Sequence, residues 1–124
     1  MRKFLPLILI LVVFGVYFFL KTPKVVDQKF PDTEANLILF WGDGCPHCEV
    51  VKNYIKDNNL ESKLKISYKE VYKDQNNQKI LESTVQKCPE IDQSRGIGVP
   101  LGFDTQASKC LYGDTPIIEW LKTK

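Results

Sequence analysis

Cys45-Pro46-His47-Cys48 is the stretch of this sequence whose residue types and spacing carry chemistry. Two thiols three positions apart on a first helical turn lie close enough to close into a disulfide with little rearrangement. The first would face the unpaired backbone N–H groups and the positive end of that helix. Both stabilise a thiolate, the reactive form of cysteine. Pro46 stands where a first-turn proline belongs. His47, the single histidine of the chain, adds a cation beside the sulfurs when protonated. A stabilised Cys45 thiolate is a good leaving group, so the disulfide form is expected to be easily reduced and therefore oxidising. Other readings compete. The pair could be half of a zinc site completed by Cys88 and Cys110 or by His47, although those two cysteines stand singly and far apart. A purely structural disulfide would close too small a loop to stabilise much. His47 could be a solvated surface residue.

The elements that must position this tetrad follow from the flanking pattern. Residues 35–41 (ANLILFW) form a continuous apolar run of strand length, as suits a central strand covered on both faces. Gly42-Asp43-Gly44 is a turn. Apolar residues then recur at helical spacing over 45–58 (Cys48, Val51, Tyr54, Ile55), and Asn58-Asn59 ends that helix. Residues 64–72 alternate, with Leu64, Ile66 and Tyr68 on one face, which predicts a half-exposed strand. Residues 76–87 read as a second helix stopped by Pro89, followed by a loop over 90–98. Residues 99–103 and 108–112 read as two short strands joined tightly around Asp104-Thr105-Gln106. Gly113-Asp114-Thr115 then caps a last helix that opens with Pro116. The order β-α-β-α-β-β-α predicts an α/β domain whose mixed four-stranded sheet has helices on both faces. Phe40, Tyr112 and Trp120 are expected in or near the core, and Glu49, Lys52 and Lys56 on a solvated helix face.

The chain has 124 residues, with 17 Lys+Arg against 15 Asp+Glu. Both excess positives, Arg2 and Lys3, precede an apolar run, so the remainder is neutral and has no general attraction for nucleic acid. Residues 4–20 (FLPLILILVVFGVYFFL) are 17 uncharged residues, the lower edge of what spans a bilayer as a helix. The run ends without the small-residue pattern of a signal-peptidase site, so an uncleaved anchor is expected rather than a leader. The resulting division is a cytoplasmic tip and transmembrane anchor over 1–21, a linker over 22–34 with Val25-Val26 as a candidate first strand, and a folded domain over 35–124. The positive charges weakly favour the amino terminus inside. A single-pass membrane protein with an extracytoplasmic domain also suits four cysteines in so short a chain.

From about residue 35 to 122 the sequence resembles the thioredoxin superfamily in its short, glutaredoxin-like form. The residues that carry the resemblance are LILFWGDGCPHC, then Val99-Pro100, then the closing strand pair and helix. The CPHC tetrad and the Val before the proline are similar to those of DsbA-type oxidants, but there is no room between Tyr72 and Val99 for the helical domain which those proteins insert. The resemblance implies a thioredoxin fold. It implies that Pro100 is cis and packs against the active pair, and that Val99 and Pro100 present backbone to substrate peptides as an added strand. Trp41 is assigned to the same substrate face, although it lies four residues ahead of Cys45 rather than next to it. No metal or organic cofactor is required. Glutathione is a candidate co-substrate, since Gly113-Asp114 matches the family's glutathione-binding turn in part.

The expected activity is thiol–disulfide oxidoreduction with cysteine-containing substrate proteins, more oxidase or isomerase than reductase. Cys45 attacks or accepts at the helix tip, exposed, and the more buried Cys48 resolves. His47 and Pro46 tune the pair. The implied partner is a membrane redox protein, either a quinone-linked oxidase or a transmembrane electron donor. Cys88 and Cys110 are expected to form a second, structural disulfide closing about 23 residues, which the chain-entropy relation values at roughly 3 kcal/mol. The alternatives are two unpaired, half-buried cysteines or an electron relay. A non-catalytic adaptor module is the rival reading of the whole domain.

Overall fold

In the computed structural model of the protein, residues 10, 12–16 and 30–124 are described. Residues 10 and 12–16 are helical, and Ile10, Val12, Val13, Phe14 and Val16 are exposed. Among the described residues no helix is long and apolar enough to cross a membrane. The rest of the expected anchor over 1–21, and the Val25-Val26 strand, lie outside the described residues.

The domain runs β1 (Leu37–Trp41), α1 (Pro46–Asp57), a 3-10 turn at Leu60–Ser62, β2 (Ile66–Glu70), α2 (Gln75–Val85), β3 (Leu101–Asp104), β4 (Lys109–Tyr112) and α3 (Asp114–Lys122). The sheet order is β2-β1-β3-β4. β1 pairs in parallel with β2, Leu37 opposite Ile66 and Trp41 opposite Glu70. It pairs antiparallel with β3, Phe40 opposite Leu101, and β3 pairs antiparallel with β4. A mixed α/β architecture with a four-stranded mixed sheet is therefore present, and it is compatible with a thioredoxin-like fold.

β1 is central, and its period-2 alternation splits the core in two. Leu37 and Leu39 face Val51 and Ile55 of α1 and Ile117 and Leu121 of α3. Ile38 and Phe40 face Leu81 and Val85 of α2, with Leu101, Phe103 and Cys110 beside them. Phe40 is fully buried, as expected of it. The helices thus cover both faces, and the continuous apolar run of β1 is explained by burial on both sides.

Several local expectations change. β2 is not half-exposed: Ser67 and Lys69, on its polar face, are buried. The end of the expected linker covers them, where Asp32 accepts from Ser67 Oγ at 2.7 Å and pairs with Lys69 Nζ at 3.0 Å. Tyr112 is 51% exposed rather than near-core, because it is the last residue of the edge strand β4 and points to solvent. Trp120 is half-buried, its Nε1 donating to Asp104 Oδ2 at 2.8 Å. α2 begins one residue earlier than expected, capped by Asp74, whose carboxylate accepts from the amides of Asn76 and Asn77.

Candidate active site

Cys45 is the N-cap of α1, with extended backbone (φ −81°, ψ 113°), and Pro46 is the first helical residue. The proline costs nothing there, since its missing N–H would have had no partner within the helix. Cys45 and Cys48 are disulfide-bonded, their Cα atoms 5.3 Å apart. The Cys48 amide donates to Cys45 Sγ at 3.2 Å, so the sulfur takes one of the orphan N–H groups of the first turn. Cys45 is 6% exposed and Cys48 0%. The expected order of burial is present, but Cys45 does not protrude. The disulfide and the chain at Val99 cover it, and its Sγ lies 3.7 Å from the Val99 carbonyl oxygen.

The Val99–Pro100 peptide is cis, and Pro100 is fully buried. β3 begins one residue later, at Leu101, since Pro100 has no N–H for the ladder. Its carbonyl still accepts from the Gly113 amide at 3.0 Å. The chain enters this spot past Gly98, where an added Cβ would come within 2.6 Å of the Tyr112 hydroxyl. Exposed Tyr112 therefore stands beside the Val99–Pro100 segment, a neighbour which alternation in β4 could not reveal.

On the other side of Cys45, the turn over residues 42–44 is held from β2. Buried Glu70 accepts from the amides of Asp43 (3.1 Å), Tyr72 (3.0 Å) and Lys73 (2.8 Å). Lys73 Nζ donates to Asp43 Oδ2 at 2.5 Å, and this bond holds the Asp43 carboxyl below the usual carboxylate range. Gly42 is packed under the Tyr72 ring, so a Cβ at that position would collide with it. Trp41 ends β1 half-buried, with Lys52 Nζ 4.0 Å from its ring centroid. Lys52 is thus not merely solvated: it covers Trp41 and pairs with Glu49 at 3.0 Å.

His47 is exposed on α1, and its Nδ1 lies 2.8 Å from Asp114 Oδ2, 67 residues away. Asp114 opens α3. Gly113 is the N-cap, in the left-handed region at φ 91°, and no side chain caps the helix. Asp114 is therefore committed to His47 and to its own first turn, where Oδ1 accepts from the Thr115 amide at 2.7 Å. The hydrogen bond to His47, followed by that to the Thr115 amide, holds the Asp114 carboxyl below its ordinary value. In sequence Asp114 reads only as part of a cap, and nothing in a one-dimensional pattern brings it to His47.

Cys88, just beyond α2, is bonded to Cys110 of β4, with Cα atoms 5.9 Å apart and both residues buried. They lie in the core on the α2 side of the sheet. The fold thus brings Cys45, Cys48, His47, Pro46, Val99 and Pro100 to one end of the sheet, beyond the last residue of central β1 and the first of β3, with Trp41 at its rim, and leaves Cys88 and Cys110 apart from them. Among the described residues no group of three or more His, Cys, Asp or Glu side chains is arranged to hold a metal ion. Comparison of the chain with protein-family models, with curated proteins and with solved structures finds no match.

Proposed function

We propose that this protein is a thiol–disulfide oxidoreductase of thioredoxin fold, tethered to a membrane through residues 4–20 with its domain on the extracytoplasmic side. The observation that carries the reading is the Cys45–Cys48 disulfide at the first turn of α1, its outer sulfur accepting the Cys48 amide and lying next to the Val99 carbonyl. A sulfur at that position is stabilised as a thiolate by the amide and by the positive helix end. The cis bond before Pro100 agrees with the resemblance to thioredoxin-like proteins. The exposed apolar side chains of Ile10, Val12, Val13, Phe14 and Val16 suit an anchor.

In the oxidising direction a substrate thiolate attacks Cys45 Sγ. The bond between the two sulfurs breaks, and Cys48 leaves with its electron pair and takes a proton. A second substrate thiolate attacks the substrate sulfur of the mixed disulfide, and Cys45 leaves as a thiolate. The substrate loses two electrons and gains a disulfide, and the protein becomes a dithiol. A quinone-coupled membrane enzyme would re-oxidise it. Val99 and Pro100 would offer backbone to the substrate strand.

The test is a trap. In Cys48→Ala, Cys45 has no internal partner: its thiolate should attack a disulfide of an unfolded, disulfide-containing substrate protein, one substrate cysteine leaving as a thiolate, and the mixed disulfide should accumulate. Cys45→Ala should form none. The low exposure of Cys45 favours a second reading, a non-catalytic adaptor with an inert disulfide. Absence of any adduct with Cys48→Ala would establish that reading instead.

A further inference from the structure

We infer that Asp114 is a positioning residue of the exchange site, fixing the ring orientation and tautomer of His47 beside Cys45; this rests on the exchange reading above. The geometry is specific. His47 lies on the N-terminal turn of α1, between the two cysteines, and Asp114 is the first residue of α3, which packs against α1. Asp114 Oδ2 meets His47 Nδ1 at 2.8 Å, while Oδ1 accepts from the Thr115 amide at 2.7 Å. Oδ1 also accepts from the Thr115 hydroxyl at 3.3 Å, so the carboxylate is oriented by its own helix and in turn orients the imidazole.

A carboxylate can only accept, so His47 Nδ1 must carry the proton of this bond. A neutral ring is then the Nδ1–H tautomer, with its lone pair on Nε2. A protonated ring keeps the same bond and presents a second N–H at Nε2. In both forms Nδ1 is occupied and Nε2 is the free nitrogen. As a cation the ring would stabilise the Cys45 thiolate when that sulfur leaves the mixed disulfide, with no proton transferred.

The other charged groups near the first turn of α1 are already engaged. Glu49 pairs with Lys52 at 3.0 Å and Asp43 with Lys73 at 2.5 Å. Glu119 and Lys122 stand one to two turns further along α3. Asp114 is the carboxylate that reaches the imidazole.

The experiment uses the full chain. His47 is the single histidine, so its ring nitrogen signals in a 15N-labelled sample need no assignment. The wild type should show the Nδ1–H tautomer, and Asp114→Ala should lose it. In the reduced protein, iodoacetamide labelling of Cys45 at pH 6 should slow about two- to five-fold in Asp114→Ala, the range expected of one exposed charge pair. Asp114→Glu should recover most of both. A purely structural role would lower the unfolding midpoint without moving the tautomer. A reactive wild type whose tautomer and labelling rate are unchanged in Asp114→Ala overturns this inference alone. A wild-type Cys45 that takes no label overturns the exchange reading as well, since no reactive sulfur would then exist for His47 to act on.

Discussion

The sulfur of Cys45 lies 3.7 Å from the carbonyl oxygen of Val99, 54 residues further along the chain. The contact joins the tip of α1 to the entry of β3, and both are fixed by β1: its apolar inner residues pack α1 on one side, and its antiparallel pairing with β3 sets the position of Pro100. The site is therefore assembled by the sheet rather than by a loop, which is the arrangement that holds reacting groups in place.

The second disulfide should act on stability and not on exchange. Cys88 and Cys110 are separated by 22 residues, buried, and apart from Cys45. Replacing both by Ala should cost about 3 kcal/mol by loop entropy, read by urea unfolding. Trapping through Cys45 in Cys48→Ala should be retained. Loss of trapping with a native fold would instead make Cys88–Cys110 an electron relay.

Gly102 on β3 leaves room for the opposite face of the core. A Cβ there would come within 3.1 Å of Leu37 Cδ1 and 3.2 Å of Ile117 Cγ1, both on fully buried residues. Gly102→Ala should therefore destabilise by about 1–3 kcal/mol through overpacking. A thermal midpoint equal to that of the wild type would contradict the packing described.

The His47–Asp114 bond should be visible in acid. The Asp114 carboxyl is held below its ordinary value, chiefly by His47 and then by the Thr115 amide, so the folded state binds its proton more weakly than the unfolded chain. That contribution is complete above the unfolded value near pH 4 and is lost as pH falls through the lower folded value. Chemical denaturation at several pH values between about 5 and 2 should show a steeper loss for wild type than for Asp114→Asn. Parallel curves would contradict the bond.

Much of the architecture was legible because local pattern and burial agree there. The apolar run of β1, the helical spacing of Val51 and Ile55 and the first-turn Pro46 each specify one element, and each is found. Cys88 and Cys110 are disulfide-bonded, the arrangement expected of them beside unpaired cysteines or a relay. What escaped are contacts made across the fold. Nothing in the alternation of β2 singles out Glu70, yet it is buried and accepts the Asp43 amide of the turn before Cys45, together with the Tyr72 and Lys73 amides that follow its own strand. Asp32 read as linker, yet it covers Ser67 and Lys69. Tyr112 is expected in or near the core and is exposed instead, since alternation does not reveal that β4 is an edge strand. Asp114 lies 67 residues from its partner, His47. Periodicity reports which face of an element is apolar; it carries no information on which distant polar group that element meets.

The most direct measurement is the reduction potential of the Cys45–Cys48 pair in the full chain. It would be equilibrated in glutathione buffers in mild detergent and read by alkylation of the peptide that carries Cys45. Helix-end and amide stabilisation of the Cys45 sulfur predicts an oxidising pair, above about −180 mV on a scale where thioredoxin lies near −270 mV. A value near or below −270 mV would contradict that account and make the pair a reductant or an inert structural bond.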